Sequence, residues 1–281
     1  MPQFIENLKD IRLAIFDLDG VIYRGSNAVP GVANIIKTLK SLSIRVVFNS
    51  NNSTLTRKMY VEKLKKFQIT STIDDIFTSA YIAAEEISKI KPHANIYIIG
   101  EKGLKEELKA QKHQIYESVK DPRIIDFVVV GLDRNFDYKK LSVAQNCISQ
   151  GHAQFYATNT DATLPDNDSE LPGAGCMVAA LQTCTSQKPD RIFGKPSPLG
   201  IEMILKKTKI EKQNAVIFGD RLDTDILAGN RASLKTVLVL TGVTTKKMVD
   251  EMRNELSQSK ILEKTNLLPD IIIENLNEIF Q

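Results

Sequence analysis

Two aspartates stand in this chain where a predicted strand has to end. Residues 11–16 form an apolar run that predicts a buried strand, and Asp17 and Asp19 follow it before Gly20 turns the chain. Side chains two residues apart on an extended segment point the same way. The two carboxylates should therefore face one spot at the carboxyl edge of a sheet, where open α/β folds bind their ligands. Such a pair repels itself unless a cation or a shared proton intervenes.

Three further apolar runs end in polar residues of a complementary kind. Residues 44–48, 191–193 and 215–218 are followed in turn by Ser50-Asn51-Asn52, by Gly194-Lys195-Pro196, and by Asp220-Arg221-Leu222-Asp223-Thr224-Asp225. If these segments meet, their carboxylates would hold a hard divalent cation. The lysine, the hydroxyl and the turn amides would hold a phosphate group.

The four segments resemble, in this order, the four motifs of the haloacid dehalogenase-like phosphohydrolases. They are Asp17-Leu18-Asp19-Gly20-Val21, Ser50-Asn51-Asn52, Gly194-Lys195-Pro196-Ser197-Pro198 and residues 219–226. From residue 11 to residue 243 the chain resembles the large-cap subclass IIA, which includes p-nitrophenyl, phosphoglycolate and pyridoxal phosphatases. The resemblance implies an α/β fold in which a Rossmann-like parallel-sheet core domain carries an inserted α/β cap domain.

The alternation of strand and helix patterns also predicts parallel sheets. The pattern restarts at Lys91-Pro92, and residues 188–190 form a candidate return linker. We therefore predict a discontinuous catalytic core domain of residues 1–90 and 188–281, with a cap domain of residues 91–187. Within the cap we predict a loop at residues 159–172, then a helix at 173–184 with Cys176 packed against the interior.

The resemblance implies a phosphoric monoester hydrolase that works through an aspartyl-phosphate intermediate. Asp17 would be the nucleophile. Asp19 would protonate the leaving oxygen and then deprotonate the attacking water. The implied cofactor is Mg²⁺, held by the Asp17 carboxylate, the Asp19 backbone carbonyl and the Asp220 carboxylate. Asp225 would lie behind these ligands and orient a metal-bound water or Lys195.

Ser50, Asn51, Asn52 and Lys195 are the predicted phosphate-binding residues. For the two asparagines, turn formation and helix capping is an alternative of nearly equal weight. For Lys195 the alternative is a structural salt bridge. Residues 236–245 resemble the closing loop of the family, and we interpret them as structural.

The predicted substrate is a small phosphorylated metabolite, phosphoglycolate-like or p-nitrophenyl phosphate. Pyridoxal phosphatases have a histidine where Leu164 stands, which disfavours pyridoxal phosphate. Two other functions stay open: a phosphotransferase that passes the phosphoryl group to an alcohol, and a phosphate-binding protein without catalysis. The presence of both Asp17 and Asp19 with Lys195 and Asp220 disfavours the second.

The charge composition argues against a nucleic-acid partner. The 37 Lys and Arg are nearly matched by 34 Asp and Glu, and we expect no nucleic-acid partner because a dedicated binder concentrates its positive charge. The basic residues after Ser53 are expected to form a solvated helix face: Arg57, Lys58, Lys63, Lys65 and Lys66.

No apolar run approaches the roughly 20 residues that cross a membrane, and the first ten residues lack the apolar core of a signal peptide. Three cysteines at unrelated spacings favour a reducing cytoplasm. Subunit contacts through the cap, which are common in the family, leave a homodimer open.

Overall fold

The computed structural model describes residues 5–166, 169–258 and 266–280. Within these ranges the strands are β1 (Leu13–Phe16), β2 (Tyr23–Arg24), β3 (Asn27–Ala28), β4 (Arg45–Ser50), β5 (Ile76–Thr78), β6 (Asn95–Ile99), β7 (Gln114–Tyr116), β8 (Phe127–Val130), β9 (Gln154–Ala157), β10 (Thr163–Asp166), β11 (Ser169–Pro172), β12 (Arg191–Ile192), β13 (Ala215–Gly219), β14 (Lys235–Val239) and β15 (Ile271–Ile273). The α-helices are α1 (Val32–Ser41), α2 (Arg57–Lys66), α3 (Ser79–Ile90), α4 (Lys102–Ala110), α5 (Tyr138–Ser149), α6 (Ala174–Thr185), α7 (Leu199–Thr208), α8 (Leu227–Arg231) and α9 (Lys246–Gln258).

The chain divides into two compact units. Unit 1 contains Met1–Asn49, Val61–Ile76 and Lys195–Gln281, and unit 2 contains Ser50–Tyr60 and Phe77–Gly194. Residues 50–60, 77–90 and 188–194 thus group with the middle of the chain, whereas the sequence pattern assigned them to the core. The division into a core domain of residues 1–90 and 188–281 and an inserted cap domain of residues 91–187 stays a prediction.

Unit 1 is built on a parallel sheet with the strand order β15-β14-β13-β1-β4, and β5 lies outermost beside β4. β1 is the central strand: Phe16 is in register with Phe48 on one side and Phe218 on the other. The rings of Phe16 and Phe218 stack with centroids 4.6 Å apart. Because the strands are parallel and in register, their carboxyl ends meet at one edge, and Asp17 follows β1 at that edge. The predicted Rossmann-like parallel sheet is confirmed.

Unit 2 contains its own parallel sheet with the strand order β12-β9-β8-β6-β7. The all-apolar strand β8 is buried along its whole length, as expected for a strand covered on both faces. β12 pairs with β9 through Arg191 and Tyr156. The apolar run that precedes Lys195 therefore belongs to this second sheet, and unit 1 resumes directly after it.

The predicted loop at 159–172 is wrong in part, because β10 and β11 form an antiparallel hairpin there. Leu164 lies opposite Leu171 in this hairpin and packs, half-buried, against the apolar core of unit 2. Residues 167 and 168 lie outside the described residues. The expectation for Cys176 is also wrong, since this side chain is exposed on α6.

In the part of the chain that the structure describes, no helix combines the length and apolar character that a membrane crossing requires.

Candidate active site

Lys195 is the centre of a buried ionic cluster in unit 1. Its ammonium group donates to Asp17 Oδ1, to Asp225 Oδ1 at 2.5 Å and to the Asn49 carbonyl at 3.0 Å. Lys195, Asp17 and Asp225 are between 1 and 8% exposed. Buried charges are stable only when paired and hydrogen-bonded, so these three side chains fix one another. The structure thus joins residues from the first, third and fourth sequence segments.

Asp225 is placed by a turn of π-helix, Leu222–Ile226, that follows β13. In this wider turn the Ile226 N–H donates to the Arg221 carbonyl at 3.2 Å. Asp225 Oδ2 accepts hydrogen bonds from the backbone N–H groups of Asp220 (3.2 Å) and Arg221 (3.1 Å). Asp225 therefore holds Lys195 with one oxygen and the turn itself with the other. Asp223 is 65% exposed and pairs with Arg221, apart from this cluster.

Asp220 is held by the segment that follows β14. Its Oδ2 accepts from Val243 N–H at 2.7 Å, and its carbonyl accepts from Thr244 N–H at 3.1 Å. A Cβ atom at Gly20 or at Gly242 would overlap the Asp220 carboxylate. Gly20 also has φ +87°, a left-handed conformation that favours glycine. The two glycines therefore let the backbone close around this carboxylate.

Burial dominates the electrostatics of the cluster. It raises the pKa of Asp17 well above its ordinary value, against the opposing charge of Lys195. Burial and the neighbouring Asp225 raise the pKa of Asp220 to about 7. Burial lowers the pKa of Lys195, but Asp17 and Asp225 outweigh it and raise that pKa above its ordinary value. Lys195 therefore stays charged, and the raised pKa values of Asp17 and Asp220 show that this one ammonium group does not outweigh the cost of burying their charged forms.

This donor set fits a hard divalent cation. Asp17, Asp220 and Asp225 each offer a carboxylate oxygen, and these oxygens lie within 4.8 Å of one another. Oxygen ligands are what Mg²⁺ prefers, and one or two carboxylates with several waters usually hold it. A cation between Asp17 and Asp220 would also stabilise the charged forms of both carboxylates, which burial disfavours.

Asp19 follows Asp17 by two residues and lies beside an aromatic side chain. Tyr23 donates its hydroxyl hydrogen to Asp19 Oδ2 at 3.4 Å. Burial raises the pKa of Asp19, while the charge of Lys63 and the Tyr23 hydroxyl lower it. The structure therefore gives Asp19 an environment different from that of Asp17, as two carboxylates with different roles require.

Ser50, Asn51 and Asn52 belong to unit 2, at the end of β4. The Ser50 hydroxyl accepts from Asn52 N–H at 3.2 Å, and Asn52 Oδ1 accepts from Thr54 N–H at 2.9 Å. These contacts form a side-chain-stabilised turn, which agrees with the alternative interpretation of Asn52. The Asn51 amide donates to Asp161. Phosphate binding by these three residues stays a prediction.

Two groups of site residues were missed by the sequence interpretation. Residues 236–245 were read as structural, yet Val243 binds Asp220 and the Thr241 hydroxyl donates to the Gly20 carbonyl at 2.7 Å. The Thr-Gly pair directly after an apolar strand was the available signal. The solvated basic face predicted for α2 is also wrong in part. Lys58, Lys65 and Lys66 are exposed as predicted, but Arg57 pairs with the buried Glu107 and Lys63 lies on the Tyr23 ring.

Comparison with known proteins agrees with these features. A family model for haloacid dehalogenase-like hydrolases matches residues 14–114, and a second model, described as HAD-hydrolase-like, matches residues 192–279. Phosphoglycolate phosphatase 2 of Arabidopsis thaliana is 36% identical over 95% of this chain and 91% of its own length. The chain belongs to the haloacid dehalogenase-like hydrolases.

Solved structures of this family place the chain more closely. A p-nitrophenyl phosphatase from Archaeoglobus fulgidus has a TM-score of 0.84 at 32% identity, covering 96% of this chain and 98% of that one. A glycerol phosphate phosphatase from Mycobacterium tuberculosis, solved in complex with magnesium, has a TM-score of 0.85 at 29% identity, covering 99% of this chain and 79% of that one. These relatives confirm the large-cap subclass IIA and the enzyme class, a phosphoric monoester hydrolase.

Proposed function

We propose that this protein is a Mg²⁺-dependent phosphatase that hydrolyses small phosphorylated metabolites. The observation that carries the proposal is the contact of Lys195 with both Asp17 and Asp225, beside Asp220, at the carboxyl edge of the parallel sheet. A phosphate ester resists attack because an anionic nucleophile must approach an anionic centre. This cluster supplies the nucleophile and the positive charge together.

In the first step an oxygen of the Asp17 carboxylate attacks phosphorus. The bond between phosphorus and the leaving oxygen breaks, and Asp19 donates a proton to that oxygen, so that an alcohol departs and an aspartyl-phosphate forms. Lys195 remains positively charged beside Asp17 and would stabilise the transferring group, as preorganised charges do.

In the second step Asp19, now a carboxylate, takes a proton from water. The water oxygen attacks phosphorus, the bond to Asp17 breaks, and inorganic phosphate leaves. Ser50 and the Asn51 and Asn52 amides are proposed to bind the phosphoryl oxygens. Mg²⁺, held by the Asp17 and Asp220 carboxylates and the Asp19 carbonyl, would supply charge neutralisation and orientation. Asp225 would keep Lys195 in place from behind.

The substrate class that we propose is a small anionic phosphoester such as phosphoglycolate, with p-nitrophenyl phosphate as an artificial substrate. The support is the likeness to phosphatases whose names specify phosphoglycolate, glycerol phosphate and p-nitrophenyl phosphate, and the leucine at position 164. We also infer a cytoplasmic protein from its free cysteines, Cys147, Cys176 and Cys184. A homodimer stays an open proposal.

The test is phosphate release from p-nitrophenyl phosphate by the wild type and by Asp17→Asn. We expect Mg²⁺-dependent release that excess chelator abolishes and added Mg²⁺ restores. Asp17→Asn should lose turnover while its circular dichroism spectrum stays native, because amide and carboxylate have nearly the same volume. Full activity in chelator would refute the metal assignment. Near-normal turnover of Asp17→Asn, with deamidation excluded by mass spectrometry, would mean that another residue attacks phosphorus.

A further inference from the structure

Tyr23 is fixed against Asp19 by the turn that follows β1. The Gly20 N–H donates to the Tyr23 carbonyl at 2.8 Å, and the Tyr23 N–H donates to the Leu18 carbonyl at 3.1 Å. The Tyr23 side chain is 1% exposed, and its hydroxyl reaches Asp19 Oδ2. Its backbone and its side chain are therefore both tied to the segment that carries Asp17 and Asp19.

Lys63 covers the face of the same ring. Its ammonium nitrogen lies 3.4 Å from the Tyr23 ring centroid, a favourable cation–π geometry. The ring of Phe67, one helical turn further along, lies 5.6 Å from that of Tyr23. Lys63 is half-buried, whereas its neighbours Lys65 and Lys66 are exposed. The partly buried ammonium group of Lys63 therefore lies over the aromatic ring that contacts Asp19.

We infer that Tyr23 and Lys63 are positioning residues that orient the Asp19 carboxyl for proton transfer to the leaving oxygen. The inference rests on the proposed function, in which Asp19 is the general acid. Because the Tyr23 hydroxyl donates to Oδ2, that oxygen serves as an acceptor and the acid proton resides on Oδ1. A positioned proton is what general acid catalysis requires. Lys63 holds the ring from one face, so the hydroxyl keeps its direction.

This role predicts a dependence on the leaving group. The alkoxide of an alkyl phosphate is a poor leaving group that needs a proton, whereas p-nitrophenolate is a stable anion that departs without one. A misplaced Asp19 should therefore slow phosphoryl transfer from alkyl phosphates far more than from p-nitrophenyl phosphate. The constant to compare is kcat/KM, because it reports the steps up to departure of the leaving group and excludes later hydrolysis of the aspartyl-phosphate.

The experiment compares Tyr23→Phe, Lys63→Met and Lys63→Arg with the wild type. The substrates are p-nitrophenyl phosphate and an alkyl phosphate that the wild type hydrolyses, phosphoglycolate or glycerol phosphate. For Tyr23→Phe we expect kcat/KM to fall about tenfold on the alkyl phosphate and at most about twofold on p-nitrophenyl phosphate. Lys63→Met should show the same asymmetry. Lys63→Arg should recover most of the kcat/KM lost on the alkyl phosphate, because arginine keeps the cation over the ring.

Tyr156→Phe is the matched control, because it removes a phenol hydroxyl from a buried tyrosine of unit 2 that donates to Gln154. It should leave the ratio of the two kcat/KM values unchanged. An equal fall on both substrates in Tyr23→Phe, or no fall on either, would overturn the positioning role. If Tyr23→Phe does not fold, Lys63→Met and Lys63→Arg test the inference through the same ratio of kcat/KM on the two substrates. If Asp17→Asn hydrolyses both substrates as fast as the wild type, the proposed function on which the inference rests is refuted.

Discussion

The side-chain amide of Asn51 donates to both carboxylate oxygens of Asp161, at 3.1 and 3.0 Å. These residues are 110 positions apart in the chain and lie together in unit 2. The Asn51 carbonyl also accepts from Asn159 Nδ2 at 2.8 Å and from the Ser79 hydroxyl at 2.5 Å. The second predicted motif is thereby attached to the start of the segment that leads into the β10–β11 hairpin.

Replacing this amide with a second carboxylate should destabilise unit 2. Asn51→Asp would place two carboxylates about 3 Å apart, and we expect the free energy of unfolding to fall by about 1–3 kcal/mol. The exchanged pair, Asn51→Asp with Asp161→Asn, restores an amide opposite a carboxylate and should recover most of the loss. Urea unfolding of the two single variants and the double variant closes a double-mutant cycle. Additive effects in the cycle would show that the contact contributes no coupling.

Removing the ammonium group of Lys195 should cost both stability and turnover. Lys195→Ala leaves the buried carboxylates of Asp17 and Asp225 without their shared cation, a loss of about 3–5 kcal/mol for a broken buried ion pair. We expect kcat on p-nitrophenyl phosphate to fall by about 10²–10³.

A second change separates these two effects. Adding Asp225→Asn to Lys195→Ala removes one of the two buried carboxylate charges that Lys195→Ala leaves without a cation, so the free energy of unfolding should partly recover while kcat stays low. Recovery of both quantities together would mean that Lys195 serves the fold alone.

Leu164→His tests the substrate assignment. A histidine would offer a hydrogen bond to a polar leaving group, and an unpaired buried polar group costs roughly 1–3 kcal/mol. We expect kcat/KM for pyridoxal phosphate to rise relative to that for phosphoglycolate, with a lower melting temperature because Leu164 packs on the apolar core of unit 2. Leu164→Met is the control that keeps an apolar side chain. An equal fall for both substrates would assign Leu164 to packing alone, and a wild type that prefers pyridoxal phosphate would refute the assignment.

His113 should make unit 2 less stable in mild acid. The Ala94 N–H donates to its Nδ1 at 3.1 Å, so the neutral ring carries its proton on Nε2, which faces the Ser88 hydroxyl at 2.9 Å. Burial lowers the pKa of His113 below its ordinary value, and the nearby His93 lowers it further. The hydrogen bond with the Ala84 carbonyl acts in the opposite direction but does not outweigh these two effects. A pKa that is lower in the folded state means that the unfolded chain binds the proton more readily.

The stabilisation by neutral His113 should therefore be complete above its ordinary pKa of 6.5 and decline as the pH falls below it. His113→Gln cannot titrate in this range. The difference in free energy of unfolding between wild type and His113→Gln should shrink from pH 8 to pH 5 in urea titrations. A constant difference would contradict the shift.

Much of the site was predictable because it depends on local patterns. An apolar strand that ends in a polar turn identifies Asp17 and Asp220, and parallel strands bring their carboxyl ends together. The contact between Val243 and Asp220 was not predictable, because any residue can supply a backbone N–H and the side chain gives no signal. Lys63 could not be distinguished from its neighbours on α2 by periodicity, since its burial depends on the distant Tyr23 ring.

The strand order also determines what the growing chain can assemble during translation. β1 pairs with β4 and β13, and β13, β14 and β15 all follow the last residue of unit 2. While the ribosome synthesises residues up to 214, β1 therefore lacks one of its two neighbours in the sheet. All strands of the second sheet exist once residue 192 has been made. The unit that contains β1 can consequently be completed only after every strand of the sheet in unit 2 has been made, although β1 itself precedes all of them in the chain.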